Sequence, residues 1–322
     1  MNERSVPNDC LLFAGSSHPG LAKEIADCLG IPLGSIDIDR FPDGEVSVEI
    51  KESVRNRNVF VVQTVALEPD RYLFEMLVII DALKRASAKR IVAVIPYYGY
   101  CRQDRKDRPR VPITAKLVAN LIEKAGATRL LTMDLHALQI EGFFDIPVDV
   151  LRGPPLLMSA IRSLELKDLV VVAPDIGSVK VARLYAHDLQ ADFAVIDKRR
   201  NSSFDVDLLN LIGEVKGKDV LLADDMCSTG GTLVSAAKAC QEKGARRIIA
   251  AVTHGIFVGS SVEAIFRSPI EKVLMSNTIP YTDRLDQLKG LHIVSVAPLF
   301  SQAIDCILSA GSISSMSCPV CE

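Results

Sequence analysis

The chain has 322 residues, about twice the size of a typical domain, so two packed cores are expected rather than one. Apolar residues make up 48% and charged residues 24%, a balance that excludes wholesale disorder. Lys and Arg number 37 against 40 Asp and Glu, and the net charge of −3 excludes the strongly basic surface of a general nucleic-acid binder. The N-terminal MNERSVPNDC carries no basic run followed by an apolar core. The most apolar long stretch, 248–266, is interrupted by Thr253, His254, Gly255 and Ser260. These features predict a soluble cytoplasmic protein with no membrane span.

In chain order, short β-branched runs alternate with helix-length amphipathic segments. Strands are predicted at 10–14, 59–63, 90–96, 129–134, 169–173, 193–197, 219–224, 247–252 and 273–276. Helices fall between them, among them 18–29, 75–86, 114–125, 179–189 and 232–243. Such an order predicts an α/β fold built on a mainly parallel sheet with helices on both faces. Gly153-Pro154-Pro155 marks a boundary near residue 150. Residues 114–136 align without a gap to 232–254, each running helix, Gly-Ala turn, strand and a terminal His. Ala119/Ala237, Gly126/Gly244, Ala127/Ala245 and Arg129/Arg247 are identical pairs. Any helix-turn-strand unit would share some of this; the alternative is two copies of one α/β unit in tandem. Of the 8 cysteines, Cys318 and Cys321 form the one C-x-x-C, and without a second pair they suit neither a four-ligand zinc site nor a disulfide framework.

The strongest chemical signal is the run from Val220 to Thr232. An apolar strand delivers Asp224 and Asp225 to its C-terminal end, the end at which open α/β sheets bind ligands. Ser228-Thr229-Gly230-Gly231-Thr232 follows, with backbone N–H groups and hydroxyls able to surround a phosphate at the positive end of the next helix. The carboxylates repel that phosphate and suit sugar hydroxyls or a hydrated cation. A 5-phosphorylated ribose satisfies both halves. Helix capping by the Ser-Thr-Gly-Gly stretch would explain the loop but not the acidic pair beside it.

Weaker signals have bland alternatives. Arg102-Gln103-Asp104-Arg105-Lys106 follows an apolar strand and a Tyr-rich approach, and suits phosphate oxygens, although charge runs are usually solvated faces. His136 ends a strand two residues after Asp134, where a structural His is common. Asp175 ends another. Phe41 and Asp43-Gly44-Glu45 offer an aromatic face and two carboxylates, or else an ordinary Asp-Gly hairpin. Lys198-Arg199-Arg200 leads into the polar Asn201-Ser202-Ser203, either as a closing cationic loop or as a solvated turn.

The acidic pair and its loop resemble the PRPP-binding motif of phosphoribosyltransferases and of ribose-phosphate pyrophosphokinases (PRPP synthetases). The remaining motifs resemble the pyrophosphokinases specifically: Phe41-Pro-Asp43-Gly44-Glu45, Tyr97-Tyr-Gly-Tyr-Cys-Arg102-Gln103, Asp134-Leu-His136, Ala173-Pro-Asp175, Asp197-Lys198-Arg199-Arg200, Thr253-His254-Gly255 and Asn277-Thr278-Ile279-Pro280. The likeness is collinear over nearly the whole chain. It implies two tandem phosphoribosyltransferase-like domains, an N-terminal one over 1–150 and a C-terminal one over 151–322, with the last ~20 residues packing back on the first. It implies transfer of the β,γ-diphosphoryl group of ATP to the C1 hydroxyl of ribose 5-phosphate. Phe41, Asp43, Gly44, Glu45, Arg102 and Gln103 then bind ATP, and His136 and Asp175 bind Mg²⁺. Arg200, Asp224, Asp225, Ser228, Thr229, Gly230, Gly231 and Thr232 hold ribose 5-phosphate. Lys198 and Arg200 stabilise the transferring group. The resemblance further implies a homo-oligomer, commonly a hexamer, in which the 41–45 turn reaches a neighbouring subunit's site. A PRPP-consuming transferase and a non-catalytic regulatory subunit are the competing readings; the first needs no second domain, and the retained Lys198, Arg200, His136 and Asp175 count against the second.

The sequence departs from the family pattern in places. Ser228 stands where many relatives carry an acidic residue, and Ser178 follows Gly177 where a second Gly is usual. Asp107-Arg-Pro109-Arg-Val111, Thr64-Val-Ala-Leu-Glu68 and Glu49 differ near the family's effector site, so its regulation is not carried over.

Overall fold

In the computed structural model the described residues are 9–199, 208–288 and 290–313. Arg200, Cys318 and Cys321 lie outside them, and Lys198 is described by its backbone. The chain divides into two compact units, with the change at Arg152/Gly153.

Unit 1 contains β1 (Cys10–Ala14), α1 (Pro19–Leu29), β2 (Ile36–Arg40), β3 (Val46–Ile50), β4 (Asn58–Val62), α2 (Pro69–Arg85), β5 (Arg90–Ile95), α3 (Thr114–Ala125), β6 (Arg129–Met133) and β7 (Val148–Leu151). Its main sheet runs β1-β4-β5-β6-β7 with every pair parallel, and β2 and β3 form a separate antiparallel ribbon. β4 and β5 are apolar almost throughout because both faces of the sheet are covered. α2 starts six residues before the expected position 75. Pro69 presets its first turn, Asp70 complements the positive end, and Lys84 and Arg85 complement the other. The earlier start puts Glu75 in mid-helix at 1% exposure, where it accepts from Ser16 N (2.7 Å), Ser16 Oγ (2.6 Å) and Gln63 Nε2 (2.8 Å). Those three donors offset the cost of enclosing a carboxylate. Residues 278–280 return to unit 1, where Thr64 Oγ1 donates to Thr278 O at 2.6 Å.

Unit 2 contains α4 (Pro154–Arg162), β8 (Val170–Ala173), α5 (Val179–Asp188), β9 (Asp192–Arg199), β10 (Leu208–Ile212), β11 (Asp219–Cys227), α6 (Gly231–Glu242), β12 (Arg247–Gly255), α7 (Ser261–Phe266), β13 (Lys272–Ser276) and β14 (Leu291–Val294). From Ser295 the chain rejoins unit 1, and α8 (Ala297–Leu308) packs on α1. The seven-stranded sheet runs β10-β9-β8-β11-β12-β13-β14, all pairs parallel except β10 with β9. Alternation sorts its apolar runs between two cores. Val170, Val172, Val220, Leu222, Ala250 and Val252 pack with α6 and α7, whereas Val171, Ala173, Leu221, Ala223, Ile249 and Ala251 pack with α4 and α5. Each fully buried Val, Leu or Ile contributes about 1.5–3 kcal/mol.

The aligned segments fold alike: α3 and α6 each end before a glycine at positive φ (Gly126, +131°; Gly244, +84°), and β6 and β12 each begin at the matched Arg. Their surroundings differ. In unit 1 the strands follow one another across the sheet in a single direction. In unit 2 the chain leaves β8 through α5 toward β9, but leaves the adjacent β11 through α6 toward β12 on the other side. The carboxyl ends of β8 and β11 therefore flank a topological switch point. Among the described residues no helix is long and apolar enough to cross a membrane.

At the opposite end of β11, Asp219 is 1% exposed and accepts from Lys167 N and Arg246 Nε, both at 2.7 Å, while Arg246 Nη2 donates to Lys167 O at 2.8 Å. Burial works to raise the Asp219 pKa, but the hydrogen bonds from Arg246 and Lys167 outweigh it and hold the group below 3.8. The stability it contributes is present above that value and lost as pH falls through the lowered one. Asp219→Ala orphans the Lys167 amide and should cost unit 2 about 2 kcal/mol, read as a lower urea midpoint at pH 7 whose difference from the parent shrinks in acid.

Candidate active site

The switch point of unit 2 gathers three carboxylates. β11 runs three residues beyond its expected end at 224, because Met226 and Cys227 stay in register with His254 and Gly255 of β12. Asp224 is half-buried and Asp225 is 9% exposed, and Asp225 N donates to Asp224 Oδ1 at 2.9 Å. Burial, then the charge and hydrogen bond of Asp225, then the charge of Asp175 raise the Asp224 pKa to about 9. The Asp224–Asp225 pair therefore holds a proton more readily than an isolated carboxylate does. Asp175 follows β8 in a turn stitched by Ser178: Ser178 N donates to Asp175 Oδ1 (3.1 Å), Ser178 Oγ donates to Asp175 O (3.0 Å), and Asp175 N donates to Ser178 Oγ (3.3 Å). Ser178, the departure noted above, fixes the Asp175 carboxylate instead of loosening its loop.

The loop after β11 does not obtain its shape from helix capping. The N-cap residue of α6 is Gly230, in the left-handed region at φ +75°, and no side-chain hydrogen bond caps the helix. The first-turn amides of α6 are those that a helix leaves without intrahelical partners, and they carry the positive end of its dipole. Thr229, Gly231 and Thr232 are exposed. Loop, acidic pair and Asp175 thus lie at one rim of unit 2.

In unit 1 the loop after β5 places cations over an aromatic anchor. Tyr97, Tyr98 and Cys101 are buried, while Arg102 and Gln103 are exposed. Burial raises the pKa of both tyrosines, so their hydroxyls stay protonated. Tyr98 OH donates to Ala115 O at 3.0 Å, pinning the loop to α3. Thr114 Oγ1 donates to Gln103 Oε1, which leaves the Gln103 amide nitrogen as the outward donor. His136 is exposed beyond β6, and Asp134 before it holds φ +37°. Such a backbone is costly for a residue with a Cβ and is common near functional groups.

Residues 41–45 do form the tip of a hairpin between β2 and β3. Phe41 N donates to Glu45 O and Gly44 N to Phe41 O, both at 2.8 Å, with Gly44 at φ +94°. The fold leaves Phe41 53% exposed, and Asp43 and Glu45 are exposed beside it. Lys198 and Arg199 do not follow β9 as expected. They belong to it, opposite Leu209 and Leu208 of β10, a strand absent from the expected set. Among the described residues no three His, Cys, Asp or Glu side chains form a metal-holding cluster. The residues that sequence reasoning missed are Glu75, Gln63 and Ser16 at the rim of unit 1; Pro69 and Asp70, as signals of an earlier helix start, were the clue available.

Two family models match the chain. The N-terminal domain of ribose phosphate pyrophosphokinase covers residues 10–126, and the phosphoribosyl synthetase-associated domain covers 202–317. The chain is 48% identical over 305 residues to the ribose-phosphate pyrophosphokinase of Wolinella succinogenes, covering 95% of this chain and 98% of that one. It is 51% identical over 300 residues to the enzyme of that name from Caldanaerobacter subterraneus, covering 92% and 94%. The crystal structure of phosphoribosylpyrophosphate synthetase from Mycobacterium smegmatis superposes with a TM-score of 0.89 at 40% identity, covering 94% of this chain and all of that one. The chain belongs to the ribose-phosphate pyrophosphokinase family, and it is an enzyme of that class.

Proposed function

We propose that the chain transfers the β,γ-diphosphoryl group of ATP to the C1 hydroxyl of ribose 5-phosphate, giving PRPP and AMP. The observation that carries this reading is the pairing, at one switch point, of a glycine-containing anion loop with two adjacent carboxylates. Backbone amides of Ser228–Thr232 take the 5-phosphate, and Asp224 and Asp225 accept from the ribose 2′- and 3′-hydroxyls. A sugar hydroxyl donating to Asp224 favours its ionised form and offsets the burial that raises its pKa. On unit 1, Arg102 grips phosphate oxygens of ATP and the Gln103 amide adds a neutral donor. Phe41 stacks on the adenine, with Asp43, Gly44 and Glu45 beside it. In this reading the hairpin tip serves a neighbouring copy in a homo-oligomer, a hexamer by family resemblance, located in the cytoplasm.

The donor set suits a hard divalent cation. Carboxylate oxygens crowd the rim of unit 2, and the ordered Asp175 carboxylate presents a second oxygen beside the one bound to Ser178 N. By the family resemblance we assign His136 on unit 1 and Asp175 on unit 2 as Mg²⁺-binding residues, each acting directly or through water, as this cation keeps several waters. Bound there, it would neutralise charge on the polyphosphate. Lys198 and Arg200 stabilise the charge spreading over the transferring group, most strongly where water is excluded.

Incubation with ATP, Mg²⁺ and ribose 5-phosphate should release AMP in step with PRPP; base-dependent consumption of PRPP instead would mark a transferase, and AMP release that awaits an added partner chain would mark a regulatory subunit. Lys198→Ala and Arg200→Ala should each slow turnover by about a hundredfold or more, the scale of one lost oxyanion donor. Near-normal turnover in either would refute its role.

The raised Asp224 pKa has a pH signature. Between 3.8 and about 9 the folded state binds more protons at this position than the unfolded one, so unliganded stability falls as pH rises through that window. Melting curves at pH 5 and pH 8.5 should differ more for the parent than for Asp224→Asn, and Mg²⁺ with ribose 5-phosphate should restore part of the loss at the higher pH.

A further inference from the structure

The anion loop of unit 2 has no side-chain cap, yet it must hold its amides toward a phosphate and its carbonyls away from it. Its carbonyls are held by the next strand–helix connection. Cys227 O accepts from Ile256 N at 2.9 Å and from Phe257 N at 3.1 Å, and Ser228 O accepts from Val258 N at 3.0 Å. In a trans peptide the C=O of one residue and the N–H of the next point in opposite directions. Pinning the Cys227 and Ser228 oxygens to residues 256–258 therefore turns the Ser228 and Thr229 amides to the far side.

The brace is itself constrained at both ends. Gly255, opposite Cys227 in the β11–β12 register, has no room for a side chain: a Cβ there would stand 2.4 Å from Met275 Sδ and 2.6 Å from a Phe257 ring carbon. Phe257 holds φ +44° with its ring 4% exposed, so core packing of the ring sustains a backbone that a phenylalanine otherwise avoids. At the other end α7 backs the loop. A Cβ on Gly230 would lie 3.3 Å from Ile265 Cδ1, and Ile265 is 2% exposed in the same core.

We infer that the segment from Gly255 to Ile265 is a template for the phosphate loop, in which Gly255, Phe257 and Ile265 are positioning residues that act through its backbone. This rests on the reading of the loop as the ribose 5-phosphate site. Backbone displacement on the scale of 1 Å can cost up to about a hundredfold, and a partial repacking less.

The test compares Ile265→Ala and Gly255→Ala with Ile248→Ala, a truncation of the same size in the same core but at the far end of β12. Ribose 5-phosphate affinity is measured by calorimetry, and the KM values for ribose 5-phosphate and ATP by AMP release. Ile265→Ala and Gly255→Ala should weaken ribose 5-phosphate about tenfold with the KM for ATP within about twofold. Ile265→Val should recover most of the loss, and Ile248→Ala should lower the melting temperature without changing either constant. The inference fails if Ile265→Ala and Gly255→Ala behave like Ile248→Ala, or if both substrates weaken together. A parent chain that binds ribose 5-phosphate but forms no AMP overturns the proposed reaction and leaves the template judged by affinity. A parent chain that does not bind ribose 5-phosphate overturns the template too.

Discussion

The Asp224 carboxyl, half-enclosed in the C-terminal half of β11 with Asp225 adjacent and Asp175 across the switch point, is the group on which the proposed site depends. Burial, then the charge of Asp225, then that of Asp175 disfavour ionisation of Asp224 in the unliganded chain. A ligand that donates hydroxyls, or a cation that screens the cluster, relieves the conflict. The fold thus stores an unfavourable arrangement that the proposed substrate would resolve, as is common at sites that trade stability for binding. The topology explains where this can happen. At the β8/β11 junction the following helices diverge to opposite faces and open a crevice, whereas the unidirectional sheet of unit 1 has no such reversal among its described strands.

In the proposed reaction the two units would handle phosphate by different means. Unit 2 relies on backbone: amides at a helix start, a left-handed glycine and a template behind the loop. Unit 1 relies on side chains: exposed Arg102 and Gln103 carried on a loop whose tyrosines are buried as pins. A backbone cradle is shaped for one tetrahedral anion in one position, whereas a long guanidinium adapts to a chain of phosphates. That division matches the proposed substrates, a sugar monophosphate on one unit and a nucleoside triphosphate on the other.

Much of this architecture was legible in the sequence where apolar runs are continuous. β1, β6 and β8 fall within a residue or so of their expected bounds because both faces of their sheets are buried. The repeat between 114–136 and 232–254 was legible because it carries a turn glycine at the same place in each copy. The two edge strands of the seven-stranded sheet were not. β10 (Leu-Leu-Asn-Leu-Ile) and β14 (Leu-His-Ile-Val) are apolar but only five and four residues long, and so short a run does not by itself separate strand from helix or loop; pairing with β13 makes β14 a strand, and pairing with β9 makes β10 one. The same pairing drew Lys198 and Arg199 into a strand. The acidic pair and its loop stand out in the sequence, but their electrostatics do not, since the pKa of Asp224 depends first on its burial, then on Asp225, then on Asp175 about fifty residues away. Glu75 was misread as a helix start because a buried carboxylate held by three donors looks, in sequence, like a first-turn acid.

The departure at Ser228 becomes intelligible once backbone and side chain are separated. If the loop were shaped by the residue at 228, replacing an acidic side chain with a hydroxyl would alter the cradle. The carbonyls of Cys227 and Ser228 are instead fixed from the β12–α7 connection, and the turn at Gly230 is backed by Ile265. The amides then face the anion whatever side chain position 228 carries. Substitution there adjusts local charge near the phosphate, and removal of a negative charge lowers repulsion rather than dismantling the site. The constraint has moved to residues such as Gly255, where a single added carbon meets Met275 and Phe257. In the proposed site, tolerance at the visible motif and intolerance behind it have one physical origin: main chain would hold the phosphate, and its neighbours hold the main chain.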